Sequence, residues 1–496
     1  MSPTRRLRAQ PELRLRRAAD GGVARSVVSG TLMGGGLPAT RPNVVVILID
    51  DLRFDEFGAG GHPYMATPHV DRMAAEGARF LNAFHTTPLC SPNRASILTG
   101  QYASRHGIID NVARDALSHH LPNYHRELQA LGYETAHIGK WHMGNDANPR
   151  PGYDLWVSFK GHGSLFDPEL NENGQDRQAA GYITDLLNER AVAFIEAPHR
   201  GPWALFLAHK AVHPDAYQAA DGTLDLTRKD YGYKPAPRHT DLYRGCEFPR
   251  RPNMLTADEV VKSKPAWAEA FRLRAGERAQ AVLRAIHAGT QEEIRLRAAM
   301  MASVDEGVGM ILDSLARTGQ LDRTFILFLG DNGYFFGEHA LGPERRFAYE
   351  EGIRSPFVLR YPPLAKAGAT VSELVLALDI APTIVELAGG TPGAQVQGRS
   401  LLPLLSGRPP GWRRSFLIEY FTENAMSWLV GMSYKAVRTE RHKLIHWVNR
   451  DGVDELYDLE QDPYELANVI GDARYAGVAQ ELRAELARLV AEAVGL

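Results

Sequence analysis

The chain has 496 residues, 44% of them apolar and 23% charged, with a formal net charge of −3 at pH 7. That length and apolar share supply a large globular core, and the near-balanced charge argues against nucleic acid as a partner. Only two cysteines occur, Cys90 and Cys246, which excludes a disulfide framework and leaves at most one bridge. No apolar run is long enough to cross a bilayer.

The first forty residues are rich in arginine and short of acids. The apolar stretch at 27–33 is too short and too glycine-flanked for an export signal. Residues 1–40 therefore read as a disordered basic tail. The missing signal favours a cytoplasmic location over a periplasmic or secreted one.

Residues 44–49 form a continuous β-branched run, expected as a strand covered on both faces of a parallel sheet. It ends in Asp50-Asp51. In open α/β sheets ligands bind beyond the carboxyl ends of the strands. Two adjacent carboxylates there repel each other unless a cation lies between them, although read alone the pair is an ordinary capping turn. Thr67, Pro68 and Gly77 punctuate a helix as N-cap, first residue and stop. A short strand over 79–84 then delivers the chain to Cys90. Pro92 suits a first helical turn and Gly100 a helix end. Cys90 thus sits at a helix N-terminus, where unpaired N–H groups favour an anion, and Arg94 lies one turn on. By itself Cys90 reads as a buried free thiol.

A strand through 136–138 opens at Gly139 into Lys140-Trp141-His142, whose Lys and His alternate by two and point the same way from an extended loop. The buried strand at 203–208 leads to His209 and His213, either of which can serve a site at its tip. From 215 to 291 the α/β rhythm fades, and the segment either sets substrate choice or covers the sheet as a helical insertion. A helix over 292–318 precedes a second wholly apolar strand, 325–329, which ends in Asp331-Asn332. This repeats the arrangement at Asp50-Asp51. Parallel strands bring both tips to one edge, and four oxygen ligands specify a hard cation, Ca²⁺ or Mg²⁺, with the size of the set favouring Ca²⁺. A breaker-rich passage at 397–410 marks a boundary. Short alternating strands and a final helix over 478–494 follow it. The expected architecture is α/β: a large mixed, mostly parallel sheet flanked by helices over 41–410, and a smaller antiparallel sheet plus helix over 411–496.

Cys90-x-Pro92-x-Arg94 with Thr99-Gly100 resembles the signature of the type I sulfatases, formylglycine-dependent members of the alkaline phosphatase superfamily. The resemblance covers residues 42 to 469. Pro42-Asn43 with Asp50-Asp51-Leu52-Arg53 resembles the family's opening motif, Gly139-Lys140-Trp141-His142 its second motif, and His213-Pro214 its leaving-group histidine. In the segment 337–351 the family carries a sulfate-binding lysine four residues before the tyrosine. Here that position is Arg345, which keeps the charge and can fork onto sulfate oxygens, with Arg346 as a rival.

The resemblance implies hydrolysis of sulfate monoesters, of sugars or aryl alcohols. A divalent cation would be held by Asp50, Asp51, Asp331 and Asn332, with position 90 beside it. Cys90 would be oxidised to formylglycine (3-oxoalanine) by a formylglycine-generating enzyme, an implied partner in maturation. Arg94 would stabilise the hydrated aldehyde, one hydroxyl of which attacks sulfur with help from Asp331. Lys140 and Arg345 would hold sulfate, His213 would protonate the leaving oxygen, and His142 would assist sulfate release. A phosphonate or phosphate ester hydrolase on the same scaffold and a non-catalytic binder of sulfated glycans are the alternatives.

Overall fold

In the computed structural model, which describes residues 41–496 apart from 226, 228, 229, 287, 288, 408 and 424, the apolar run after Pro42 forms strand β1 (Asn43–Ile49), buried along its whole length. Its side chains alternate between two cores: Val45, Ile47 and Ile49 face one, Val44, Val46 and Leu48 the other. A strand covered on both faces has no solvent side, hence its unbroken apolar sequence. Each such side chain stabilises the fold by about 1.5–3 kcal/mol on burial. The expected basic tail at 1–40 lies outside the described residues.

The chain adds β2 (Ala78–Phe80), β3 (Ala83–Phe84), β4 (Glu134–Gly139), β5 (Leu155–Ser158), β6 (Glu169–Glu172), β7 (Gln175–Gln178), β8 (Trp203–His209), β9 (Thr324–Gly330), β10 (Phe357–Arg360), β11 (Ala369–Val371) and β12 (Val375–Leu376). β3 pairs with β12, and the other ten form one sheet in the order β11-β2-β10-β9-β1-β8-β4-β5-β6-β7. Its centre, β9-β1-β8-β4-β5, is parallel. β10 runs antiparallel to β9, and β6 to β5. Helices Pro68–Glu76, Ile183–Glu196 and Thr290–Arg317 contribute to the first core, and Cys90–Thr99, Tyr124–Ala130 and Ile380–Leu387 to the second.

A second sheet of β13 (Ser415–Tyr420), β14 (Tyr434–Thr439), β15 (His442–Trp447) and β16 (Glu455–Asp458) is antiparallel throughout. The helix Ala476–Val494 buries Leu482, Leu486 and Leu489 in the same core. That third core also takes in Phe84, Leu89, Tyr349 and Ile353 from the large-sheet portion. Buried polar contacts join the two sheets as well. Lys443 Nζ bridges Glu350 at 2.8 Å and Glu465 at 2.7 Å, Tyr349 donates to Glu455 at 2.8 Å, and Tyr434 donates to the Arg346 carbonyl at 2.8 Å.

Several local expectations change. The strand expected over 79–84 is split into β2 and β3. Thr67 does precede the first helix, but its hydroxyl makes no cap; it accepts from the Gly58 N–H instead. The helix start is satisfied from the distant helix Thr290–Arg317, whose Asp305 carboxylate accepts from the N–H groups of His69 and Val70. The described residues of 215–291 include the α-helices Ala257–Ser263, Trp267–Arg274 and Glu277–Ile286, and the first two bury Val260, Trp267 and Phe271 in the third core. Both cysteines are free. No described helix is long and apolar enough to cross a membrane.

Candidate active site

Parallel pairing aligns the strand ends: Ile49 lies opposite both His209 and Gly330, and Gly139 opposite Ala208. Residues just past these tips therefore share one edge. β1 delivers Asp50 and Asp51, β4 Lys140 and His142, β5 the loop with His162, β8 Lys210 and His213, and β9 Asp331 and Asn332. β10 is antiparallel, so the chain entering it approaches the same edge and brings Arg345. Gly139 has φ +116°, and a Cβ there would lie 1.9 Å from the Ala208 carbonyl oxygen. The turn from β4 to Lys140 thus requires glycine.

Cys90 opens the helix Cys90–Thr99. One ligand atom each from Asp50, Asp51, Cys90 and Asp331 lies within 4.8 Å of the others. Cys90 Sγ is 3.9 Å from Asp51 Oδ1. Asp331 accepts from the Asp51 N–H at 2.9 Å and from Arg94 Nε at 2.8 Å. Asn332 Nδ2 donates to Asp51 at 2.8 Å. Lys140 pairs with Asp50, and Arg345 Nη1 with Asp51 Oδ2 at 2.8 Å. All these side chains are buried except Arg345, which is 14% exposed.

Three carboxylates and an amide fit a hard divalent cation. The decisive feature is that Asp50 Oδ1 and Asn332 Oδ1 are buried oxygens receiving no hydrogen bond from the described residues, and Arg94 Nη2 and Arg345 Nε are buried donors making none, Arg94 Nη2 meeting Asp50 Oδ1 only as an ion pair at 3.7 Å. Unsatisfied acceptors and donors side by side suit a cation and an anion bound together. The electrostatics agree. Burial and the neighbouring Asp50 push the Asp331 carboxyl up to about 8. Burial also raises Asp51, against the pull of Arg345. Burial would raise Asp50 too, but Lys140, His213 and Arg94 together hold it well below the usual carboxylate range. The Cys90 thiol is pushed well up by burial and by Asp50, so a bare thiolate is a disfavoured nucleophile here, which fits the need for a modified side chain.

Beside this cluster is a pocket of about 50 Å³, whose lining includes Asn111, His162, His213, Gln218, Tyr233, Tyr334 and Arg345. His213 Nδ1 lies 2.8 Å from the Pro214 carbonyl, and its Nε2 is 3.5 Å from Arg345 Nη2. Burial holds His142, His162 and His213 well below the ordinary histidine range, with Lys140 adding to the effect on each.

The Sulfatase family model matches residues 42–390, and that of the N-sulphoglucosamine sulphohydrolase C-terminal region matches residues 337–492. The chain belongs to the sulfatase family. This sulfatase is 30% identical over 498 residues to an N-acetylglucosamine-6-O-sulfatase of Bacteroides thetaiotaomicron, covering 89% of this chain and 85% of the relative. A solved complex of a protein with its substrate D-glucosamine-2-N,6-O-disulfate superposes with a TM-score of 0.76 at 29% identity, covering 92% of this chain and 98% of the other. The phosphonate monoester hydrolase of Agrobacterium radiobacter shares the fold, with a TM-score of 0.69 at 22% identity over 91% of this chain and 96% of that one. The protein is a sulfuric ester hydrolase, of a family that uses formylglycine and a divalent metal.

The structure brings together Asp50, Asp51, Cys90, Arg94, Lys140, His142, His213, Asp331, Asn332 and Arg345. Of the two rival arginines, Arg345 reaches Asp51, whereas Arg346 is held by Glu344 at 2.9 Å and by Glu423. His209 stays within β8, buried, with its imidazole pulled down to about 3, and takes no part in the cluster. Sequence reasoning missed His162, Gln218 and Asn111. Asn111 Oδ1 accepts from the Ser91 N–H at 3.1 Å and steadies the Cys90 helix. For His162 a signal existed: Gly161-His162-Gly163 follows a strand tip, and both glycines have positive φ.

Proposed function

We propose that this sulfatase removes sulfate from a sulfated carbohydrate of the 6-O-sulfated glucosamine class, using Ca²⁺. The names of the N-acetylglucosamine-6-O-sulfatase relative and of the glucosamine disulfate complex support the sugar, and the all-oxygen donor set supports Ca²⁺. The observation that carries the reading is the set of unsatisfied buried oxygens and guanidinium donors converging beside Cys90.

When bound, the cation polarises a sulfate oxygen, and the hydrated aldehyde at position 90 supplies the oxygen nucleophile. Asp50, Asp51, Asp331 and Asn332 hold the cation. Lys140 and Arg345 bind the remaining sulfate oxygens, and Arg94 orients position 90. Asp331 accepts the proton released there, since its carboxyl sits within 4.8 Å of that side chain. The Pro214 carbonyl can only accept, so His213 Nδ1 donates to it and Nε2 carries the proton for the leaving oxygen. That requires the imidazolium, which burial disfavours and an arriving sulfate anion restores. His142 takes up a proton during sulfate release.

The test is turnover of N-acetylglucosamine 6-sulfate, 4-nitrophenyl sulfate and an aryl phosphonate monoester, after peptide mass analysis across Cys90. The expected result is an aldehyde at position 90 and preference for the sugar sulfate. Preferential phosphonate cleavage, or full activity with an intact Cys90 thiol, would overturn the reading.

A further inference from the structure

Gln218 stands on a turn whose backbone is tied by Ala219 N–H to Thr223 O at 2.8 Å and Gly222 N–H to Ala219 O at 3.0 Å. Its amide nitrogen is 2.7 Å from the Gly222 carbonyl oxygen. A carbonyl can only accept, so this contact identifies the NH₂ end of the side chain and turns Oε1 the other way. Oε1 lies 3.0 Å from His142 Nε2 and 3.0 Å from His162 Nε2. An amide oxygen can only accept, so both Nε2 atoms carry hydrogen.

The neighbours agree with this. Lys140 Nζ is 3.1 Å from His162 Nδ1; an ammonium can only donate, which makes that Nδ1 the lone-pair nitrogen. His142 Nδ1 is buried and has no hydrogen-bond partner among the described residues. His142 is also tied to the helix bearing Cys90, because Ser91 Oγ donates to its carbonyl oxygen. Its ring centroid is 4.1 Å from that of His162, which is in turn stacked at 4.4 Å on His213. One amide oxygen thus sets the hydrogen positions on two imidazoles of the site.

We propose that Gln218 is a positioning residue that fixes His142 and His162 as Nε2–H tautomers, so that His142 Nδ1 is the nitrogen free to accept a proton in turnover. The proton-accepting role rests on the sulfatase reading above; the tautomer assignment does not. The tautomer of a buried neutral histidine decides which ring nitrogen can act as the base.

The experiment compares Gln218→Met, which keeps the length and removes the acceptor, with Gln218→Glu, which restores it. Each enzyme is checked for equal aldehyde content and assayed with 4-nitrophenyl sulfate. The imidazole nitrogens are also read by nitrogen–proton correlation spectra of histidine-labelled protein, assigned with His142→Asn and His162→Asn. For Gln218→Met we expect kcat to fall about 10- to 100-fold, a share of what general base catalysis contributes. KM should stay within about threefold, as for a contact that matters in the reaction rather than in ground-state binding. Gln218→Glu should keep kcat within about fivefold of wild type, because a carboxylate accepts from both rings. In the spectra, His142 and His162 should show Nε2–H alone in wild type and a mixture in Gln218→Met. Unchanged kcat in Gln218→Met, equal losses in both variants, or an Nδ1–H signal at His142 in wild type would overturn the proposal. If the wild-type enzyme cleaves no sulfate ester, the sulfatase reading fails, and the spectra still decide the tautomer assignment.

Discussion

Replacing Arg345 by alanine tests the departure at the sulfate grip. Its Nη1 makes one charge-assisted hydrogen bond to Asp51 at 2.8 Å, worth about 1.5–3 kcal/mol. Its Nε is buried without a partner and stands ready for a substrate oxygen, a second contact of about the same size. Asp51 keeps the Asn332 amide at 2.8 Å, so the loss is partial. The sum is about 3–6 kcal/mol, and at about 1.4 kcal/mol per decade kcat/KM should fall about 10²- to 10⁴-fold. Arg345→Lys keeps the charge but not the fork, so one ammonium must choose between Asp51 and the sulfate; a loss of about tenfold is expected. The assay is initial rates on 4-nitrophenyl sulfate at saturating cation and equal aldehyde content, with thermal melting as the control for folding. Retention of kcat/KM within about threefold in Arg345→Ala, or a larger loss in an equally folded Arg346→Ala, would refute the reasoning.

Cys90→Ala should abolish turnover while leaving the melting temperature near that of wild type, measured by calorimetry beside the rate assay. Chelation should remove activity, and added Ca²⁺ should restore it together with a rise in melting temperature, since a ligand of the native state stabilises it by mass action. In the chelated protein Asp331 titrates at about 8, against about 3.9 for an unfolded aspartate. The native state therefore binds the extra proton between those values. Its contribution to stability is complete below the lower one and fades as pH rises through the upper one. The wild-type denaturant midpoint should thus fall relative to that of Asp331→Asn from pH 5 to 8, a comparison in which the opposite trend from the histidines held low by burial cancels. Gly139→Ala should destabilise by at least about 1–3 kcal/mol from backbone strain alone, read by urea unfolding, and depress activity by displacing Lys140.

The strand tips were legible because chemistry and periodicity coincide there. An apolar run that stops at Asp50-Asp51 or Asp331-Asn332 marks both a buried parallel strand and a liganding edge. Lys140 and His142 were readable for the same reason, whereas His213 was told from His209 only by its resemblance to the sulfatase motif. Gln218 was not, since its function depends on a turn at Gly222 and on rings from two other strand tips, none of which leaves a periodic trace. The choice between Arg345 and Arg346 also needed the fold: Glu423, which occupies Arg346, is 77 residues away. Thr67 shows the converse failure. A sound local signal was overridden because Asp305, far along the chain, satisfies the helix start.

The stretch carrying Arg345 is bolted on its far side to the small sheet, through Tyr434 on the Arg346 carbonyl, Glu455 on Tyr349 and Lys443 on Glu350. A premature stop codon between residues 411 and 433 would leave every signature motif in the translated product intact and still remove the backing against which the anion-gripping arginine is braced. Gene fragments scored by motif content alone would therefore count such truncated products as working enzymes, and the melting behaviour of a 1–410 fragment would reveal the error.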